Sequence, residues 1–123
     1  MTTKFQEVGE VKNYTNAGSA ITAGSVVVMG SLLGVAITDI AATTGFGAVR
    51  IVGVFASMPK TTGSAWTVGQ KLLWDVSATK FDVGTATPAT GDVNGAAVAW
   101  EAAASGDTTG VVLLTPNGMA VVT

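Results

Sequence analysis

Cysteine and histidine are both absent from this chain. Without cysteine there is no disulfide, no thiolate nucleophile and no thiolate metal site. Without histidine the chain also lacks the commonest general base and the commonest metal ligand. A serine–histidine pair is therefore impossible, and Lys71 has no supporting spacing as a substitute base. Charge is scarce as well: Lys, Arg, Asp and Glu make up 11% of the 123 residues, against about 25% in an ordinary soluble domain. Little remains to keep copies apart in solution. Part of the surface is expected to be buried against other copies or a larger assembly. The six basic residues include no adjacent pair, and the net charge is −2. No basic patch exists to neutralise phosphates, which argues against nucleic acid as a partner.

Secretion through a cleaved hydrophobic leader is not expected either. Met1-Thr2-Thr3-Lys4-Phe5-Gln6-Glu7 has no apolar core for a cleaved signal. Residues 13–38 carry no charge and are long enough to span a bilayer as a helix. Yet Gly18, Gly24, Gly30 and Gly34 interrupt them, Val26, Val27 and Val28 form a β-branched run, and no basic cluster flanks them. They read as two strands with a turn at Gly30-Ser31, and no membrane partner follows.

Eight carboxylates are present, none paired at a motif spacing, and most fall at turns, where Asp binds the local backbone. Asp75 and Asp82 flank one hairpin, but a hydrolase built on them would need a cleft between them. Gly45-x-Gly47 precedes a strand rather than opening a helix, so it does not fit a phosphate loop. Ser-Gly-Asp-Thr-Thr-Gly at 105–110 lacks the alternating acidic ligands of a calcium loop. The chain offers no catalytic residue, no metal ligands and no cofactor site, and reads as a non-enzyme.

What the sequence does contain is turns and short apolar runs. Ala65-Trp66-Thr67-Val68-Gly69-Gln70-Lys71-Leu72-Leu73-Trp74-Asp75 repeats in outline the earlier Ala20-Ile21-Thr22-Ala23-Gly24-Ser25-Val26. In both, Thr-x-Gly ahead of apolar residues predicts a tight turn feeding a strand. The pattern is that of a β protein with two loosely related halves, or a chance echo in a chain rich in Ala, Thr and Gly.

Strands are predicted at 8–14, 25–29, 32–38, 46–55, 72–75, 80–83, 94–100, 109–114 and 119–122. Residues 101–107 are Ala-rich and suit one helical turn. Asn117-Gly118 between two apolar runs predicts a hairpin. About nine short strands without a long helix point to an all-β single domain, barrel or sandwich. Residues 1–7 form a flexible arm anchored by Phe5, and 8–123 one β domain. Gly24, Gly34, Gly53, Gly69 and Gly95 are expected at structural turns. Arg50 reads as a surface position. Trp66, Trp74 and Trp100, with Phe55, are expected in the core or at a subunit contact. The alternative is an aromatic platform for sugars, which would make this a glycan-binding module.

One resemblance organises these features. Gly34-Val35-Ala36, Gly53-Val54-Phe55, Pro59-Lys60, Trp66-x-x-Gly69 and Leu73-Trp74-Asp75 occur in an order that resembles a family of small phage and prophage proteins. Gly95-x-x-Val98-Ala99, residues 102–109 and Val111-x-Leu113 continue the likeness, which covers roughly 8–115 and leaves out 116–123. The family consists of capsid cement, or head decoration, proteins. The resemblance implies a β-rich structural protein on the outer surface of the virion capsid. Its partners would be the major capsid protein and further copies of itself, commonly as a homotrimer. It would be made in the host cytoplasm. No catalytic or metal residue carries over. Lys4, Phe5 and Gln6 in the N-terminal arm are the candidate capsid contacts, by addition to an edge of the capsid protein.

Overall fold

The computed structural model describes residues 7, 9–83 and 87–123. Its strands are β1 (Val11–Thr15), β2 (Val26–Met29), β3 (Leu32–Ala36), β4 (Phe46–Arg50) and β5 (Gly53–Pro59). They continue with β6 (Lys71–Asp75), β7 (Lys80–Val83), β8 (Val93–Ala99), β9 (Thr109–Leu114) and β10 (Ala120–Val121). A 3-10 turn at Pro116–Gly118 separates the last two. A four-stranded sheet has the order β1-β4-β3-β2, and a six-stranded sheet the order β5-β9-β8-β6-β7, with β10 also on β8. The fold is all-β, as the turn and strand signals predict. Neither sheet closes. Among the described residues the edges of the larger one meet at a single bridge, Lys60 with Phe81, so the barrel is not formed.

The two sheets share one plan. Val26↔Val35 and Val27↔Gly34 on β2–β3 recur as Lys71↔Val98 and Leu72↔Ala97 on β6–β8. Val35↔Arg50 and Ala36↔Val49 on β3–β4 recur as Val98↔Leu113 and Ala99↔Val112 on β8–β9. On the outer strands, Val11↔Arg50 and Lys12↔Val49 recur as Val54↔Leu113 and Phe55↔Val112. The strand order β1-β4-β3-β2 thus returns as β5-β9-β8-β6, with the β7 hairpin inserted in the second half.

The Thr-x-Gly turns sit at equivalent places in this plan. Ser25 N–H donates to the Thr22 carbonyl at 3.0 Å, and Gln70 N–H to the Thr67 carbonyl at 3.0 Å. Gly24 (φ 86) and Gly69 (φ 82) take the left-handed conformation that the turn needs. Each then donates to the matching carbonyl, Ala36 or Ala99, at 2.8 Å. The echo in the sequence is a structural repeat.

Three sequence expectations are corrected. The run 46–55 is two strands, not one, because the chain leaves the first sheet after Arg50 and enters the second at Gly53 (φ 138). Residues 101–107 form no helical turn: Trp66 and Ala103 exchange both backbone hydrogen bonds, at 2.9 and 3.1 Å, and the chain then reverses in a tight turn closed by Asp107 N–H donating to the Ala104 carbonyl at 3.1 Å. Asn117-Gly118 makes no hairpin. β9 lies between β5 and β8 and has no free edge, so the chain steps through the 3-10 turn and β10 continues along β8.

The main core joins the halves. Leu33 and Val35 of the first sheet pack with Trp66, Leu72, Trp74, Phe81, Val112 and Leu114 of the second unit. A smaller core of Val27, Ala36, Ile40 and Val49 fills the other face of the first sheet. β3 is consequently covered on both sides, and Gly34 sits mid-strand rather than at a turn. A Cβ there would run into Val49 and approach the Arg50 carbonyl to 3.1 Å. The C-terminal segment belongs to this core as well: Met119 packs against it, and its sulfur accepts the Leu33 N–H at 3.1 Å.

Candidate interaction surface

The structure separates the aromatic residues singled out by sequence. Trp66 is 1% exposed and Trp74 5%, both in the main core. Trp74 meets Phe81 edge-on, with ring centroids 4.9 Å apart. Phe55 packs against the same core from its margin. Trp100 alone is open, at 51%. A sugar platform of three indoles is therefore not formed. Gly53 and Gly95 (φ 60) have positive φ like Gly24 and Gly69. Gly95 lies at a bulge of β8, where Gly118 backbone crosses it so closely that a Cβ would stand 2.9 Å from the Gly118 carbonyl carbon. Lys4, Phe5 and Gln6 lie outside the described residues.

Sequence reasoning missed Lys60, which is fully buried. Its Nζ donates to the carbonyls of Thr61 (3.0 Å) and Asp107 (3.4 Å) and lies 5.6 Å from the Trp66 ring centre. Carbonyl dipoles and the indole face supply what a carboxylate would otherwise provide. The position following Pro59 at a strand end gave no sign of this, since Lys is rarely buried.

The Asp carboxylates serve the backbone. Asp39 accepts the Ala23 N–H, Asp92 those of Val76 and Ala89, and Asp107 that of Ala104. Asp75 accepts the Ala78 and Ser77 N–H groups and the Ser77 hydroxyl. These bonds, that from Ala78 foremost, hold its pKa below the ordinary 3.8 against a small opposing effect of burial. Asp82 bonds the N–H of Val83, so the two hairpin carboxylates act separately. Among the described residues no three acidic side chains converge.

What the fold does present is an apolar outer face on the larger sheet. Val54, Leu113 and Val98 stand in one row across β5, β9 and β8. Beside them Val68, Gly69, Ala99 and Trp100 complete a groove of about 300 Å³ with Val98 and Leu113. Val68 is 72% exposed and Val54 46%. Open antiparallel sheet faces are ordinarily polar, and a cluster of this kind marks a contact surface. Lys71 continues the row on the β6 side, opposite Val98. Glu101 lies toward β5 and β9, in a recess with Ala56, Ser57 and Val111. Arg50 is half-exposed and faces Glu10 at 3.9 Å, the single ion pair among the described residues.

An all-β fold with turn-capping carboxylates and an apolar outer face assigns no partner by itself. The family model of phage cement proteins spans residues 6–114. The chain belongs to that family. No curated protein and no solved structure matches it. Membership of the cement family gives the chain a structural role at the bacteriophage capsid. The matched span contains β1 to β9 and stops just before the 3-10 turn; β10 lies beyond it and pairs with β8 at Val93 and Asn94. No helix among the described residues is long and apolar enough to cross a membrane.

Proposed function

We propose that this protein is a head decoration protein. It binds the outer surface of an assembled bacteriophage capsid through the major capsid protein and stabilises the shell without catalysis. The observation that carries this reading is the cement-family match across residues 6–114. Two physical features support it. A chain with 11% charged residues and an apolar outer sheet face calls for buried surface. Attachment to a lattice by several modest contacts at once yields strong retention through effective concentration.

Copies associate as a homotrimer in this proposal, since closed symmetry matches a local three-fold of the shell and prevents runaway growth. Residues 1–7 act as a capsid-binding arm, with Phe5 the anchor and Lys4 and Gln6 beside it, adding to an edge of the capsid protein. The protein works on the virion exterior after synthesis in the host cytoplasm. Co-sedimentation with expanded heads that lack it tests the proposal. Saturable binding at a fixed ratio to capsid protein is the expected result, and absence of saturable binding would overturn it. A variant beginning at residue 8 that saturates heads with unchanged affinity would remove the arm from the proposal.

A further inference from the structure

We infer that the outer face around Val98, Trp100 and Leu113 is where one copy of this chain meets the next, with Lys71 of one copy against Glu101 of its neighbour. The inference rests on the self-association proposed above and names its surface.

The internal repeat supplies the first argument. Val35 on β3 is the counterpart of Val98 on β8, because Val35↔Arg50 and Val98↔Leu113 are the same pairing in the two halves. In the first half this face is covered: Val35 is 6% exposed and packs, with Val26, Val28 and Leu33, in the main core supplied by the second half. In the second half the counterparts of Leu33 and Val28, Ala96 and Leu73, are again buried and Lys71 stands where Val26 does, but the row through Val98, Leu113 and Val54 stays partly open. Val98 and Leu113 line an open groove, and Val54, Val68 and Trp100 are exposed around it. One plan, used twice, is covered throughout in the first half and only in part in the second. The open part calls for another apolar surface, and a second copy carries one.

Charge supplies the second argument. Lys71 and Glu101 are exposed, carry opposite signs, and flank the apolar residues on opposite sides, toward β6 and toward β5–β9. Neither belongs to an ion pair among the described residues. With opposite charges on its two sides, the patch of one copy meets the next head to tail, Lys71 of one against Glu101 of its neighbour, and a closed three-membered ring repeats that pairing at every junction. Trp100 at the centre has the area and rigidity of a contact anchor.

The test is solution mass by light scattering over a dilution series, with circular dichroism confirming the fold of each variant. Wild type is expected to associate reversibly. Trp100→Glu and Val68→Asp, both at exposed positions, are expected to yield folded monomer. Lys71→Glu and Glu101→Lys alone should each raise the dissociation constant several-fold, and the double variant K71E/E101K should return it toward wild type. Wild-type mass in the Trp100→Glu and Val68→Asp variants would overturn the inference, as would failure of the double exchange to restore association. A wild type that stays monomeric at every concentration yet saturates phage heads would overturn it while leaving the capsid reading intact. Association through this face without head binding would support it while removing the capsid reading.

Discussion

Asn16 and Lys60 occupy the same position in the two halves of the fold, and both are buried. Each follows the outer strand of its sheet and donates its backbone N–H to the strand-entry carbonyl, Asn16 to Gly45 at 2.7 Å and Lys60 to Thr108 at 2.9 Å. Each side chain then ties a loop through carbonyls. Asn16 Nδ2 reaches Ser19 (2.7 Å) and Ala41 (3.1 Å), while its Oδ1 accepts the Gly18 N–H. Lys60 reaches Thr61 and Asp107. A short amide serves in one half and a long amine in the other.

Lys60→Met keeps an unbranched apolar stem and removes the donor, leaving two carbonyls short of a partner. The expected loss is about 1–3 kcal/mol, as is that for Asn16→Ala. Urea unfolding measures both. A change within about 0.5 kcal/mol, typical of an ordinary surface position, would show that these groups do not hold their loops.

Gly110 gives a second prediction. A Cβ at this position would overlap the Trp66 ring and lie 2.9 Å from its Cε3 atom. Trp66 is 1% exposed and cannot withdraw. Gly110→Ala is expected to cost about 1–3 kcal/mol by overpacking. Gly106→Ala, where a Cβ meets nothing within 4 Å and φ is not positive, is the matched control and should be close to neutral.

The hairpin carboxylate predicts a pH dependence. Hydrogen bonds from Ala78 and Ser77 depress the folded pKa of Asp75. Its contribution is therefore complete above the unfolded-state pKa and is lost as pH falls through the folded one. The stability gap between wild type and Asp75→Asn should be constant above about pH 5 and shrink in acid. Thermal melts at stepped pH check this, and a gap that widens on acidification would contradict it.

Removing residues 116–123 should weaken the whole domain. β10 pairs with Val93 and Asn94, and Met119 and Val121 pack on the main core. Loss of these partly buried side chains and ladder bonds is expected to cost about 2 kcal/mol or more, read as a lower urea midpoint. An unchanged midpoint would make the segment an ornament.

Local turn chemistry was legible in the sequence; choice of partner strand was not. Thr22-x-Gly24 and Thr67-x-Gly69 revealed the repeat because the turn imposes its own residue types. The alternation from Phe46 to Phe55 ran through the sheet switch unbroken, since period two reports faces and not sheets. Asn117-Gly118 suggested a hairpin because the sequence does not show that both edges of β9 are taken. Of the three indoles, only Trp100 is exposed. The apolar strands around all three look alike, and no local pattern tells which face the rest of the chain covers. Burial of Lys60 depends on Asp107 and Trp66, whose approach no local pattern announces.

The most direct test of the cement reading is the temperature at which expanded phage heads break down, measured with and without saturating protein. The account predicts a higher breakdown temperature that rises with occupancy and levels off at saturation. Heads that bind the protein and break down at an unchanged temperature would contradict it.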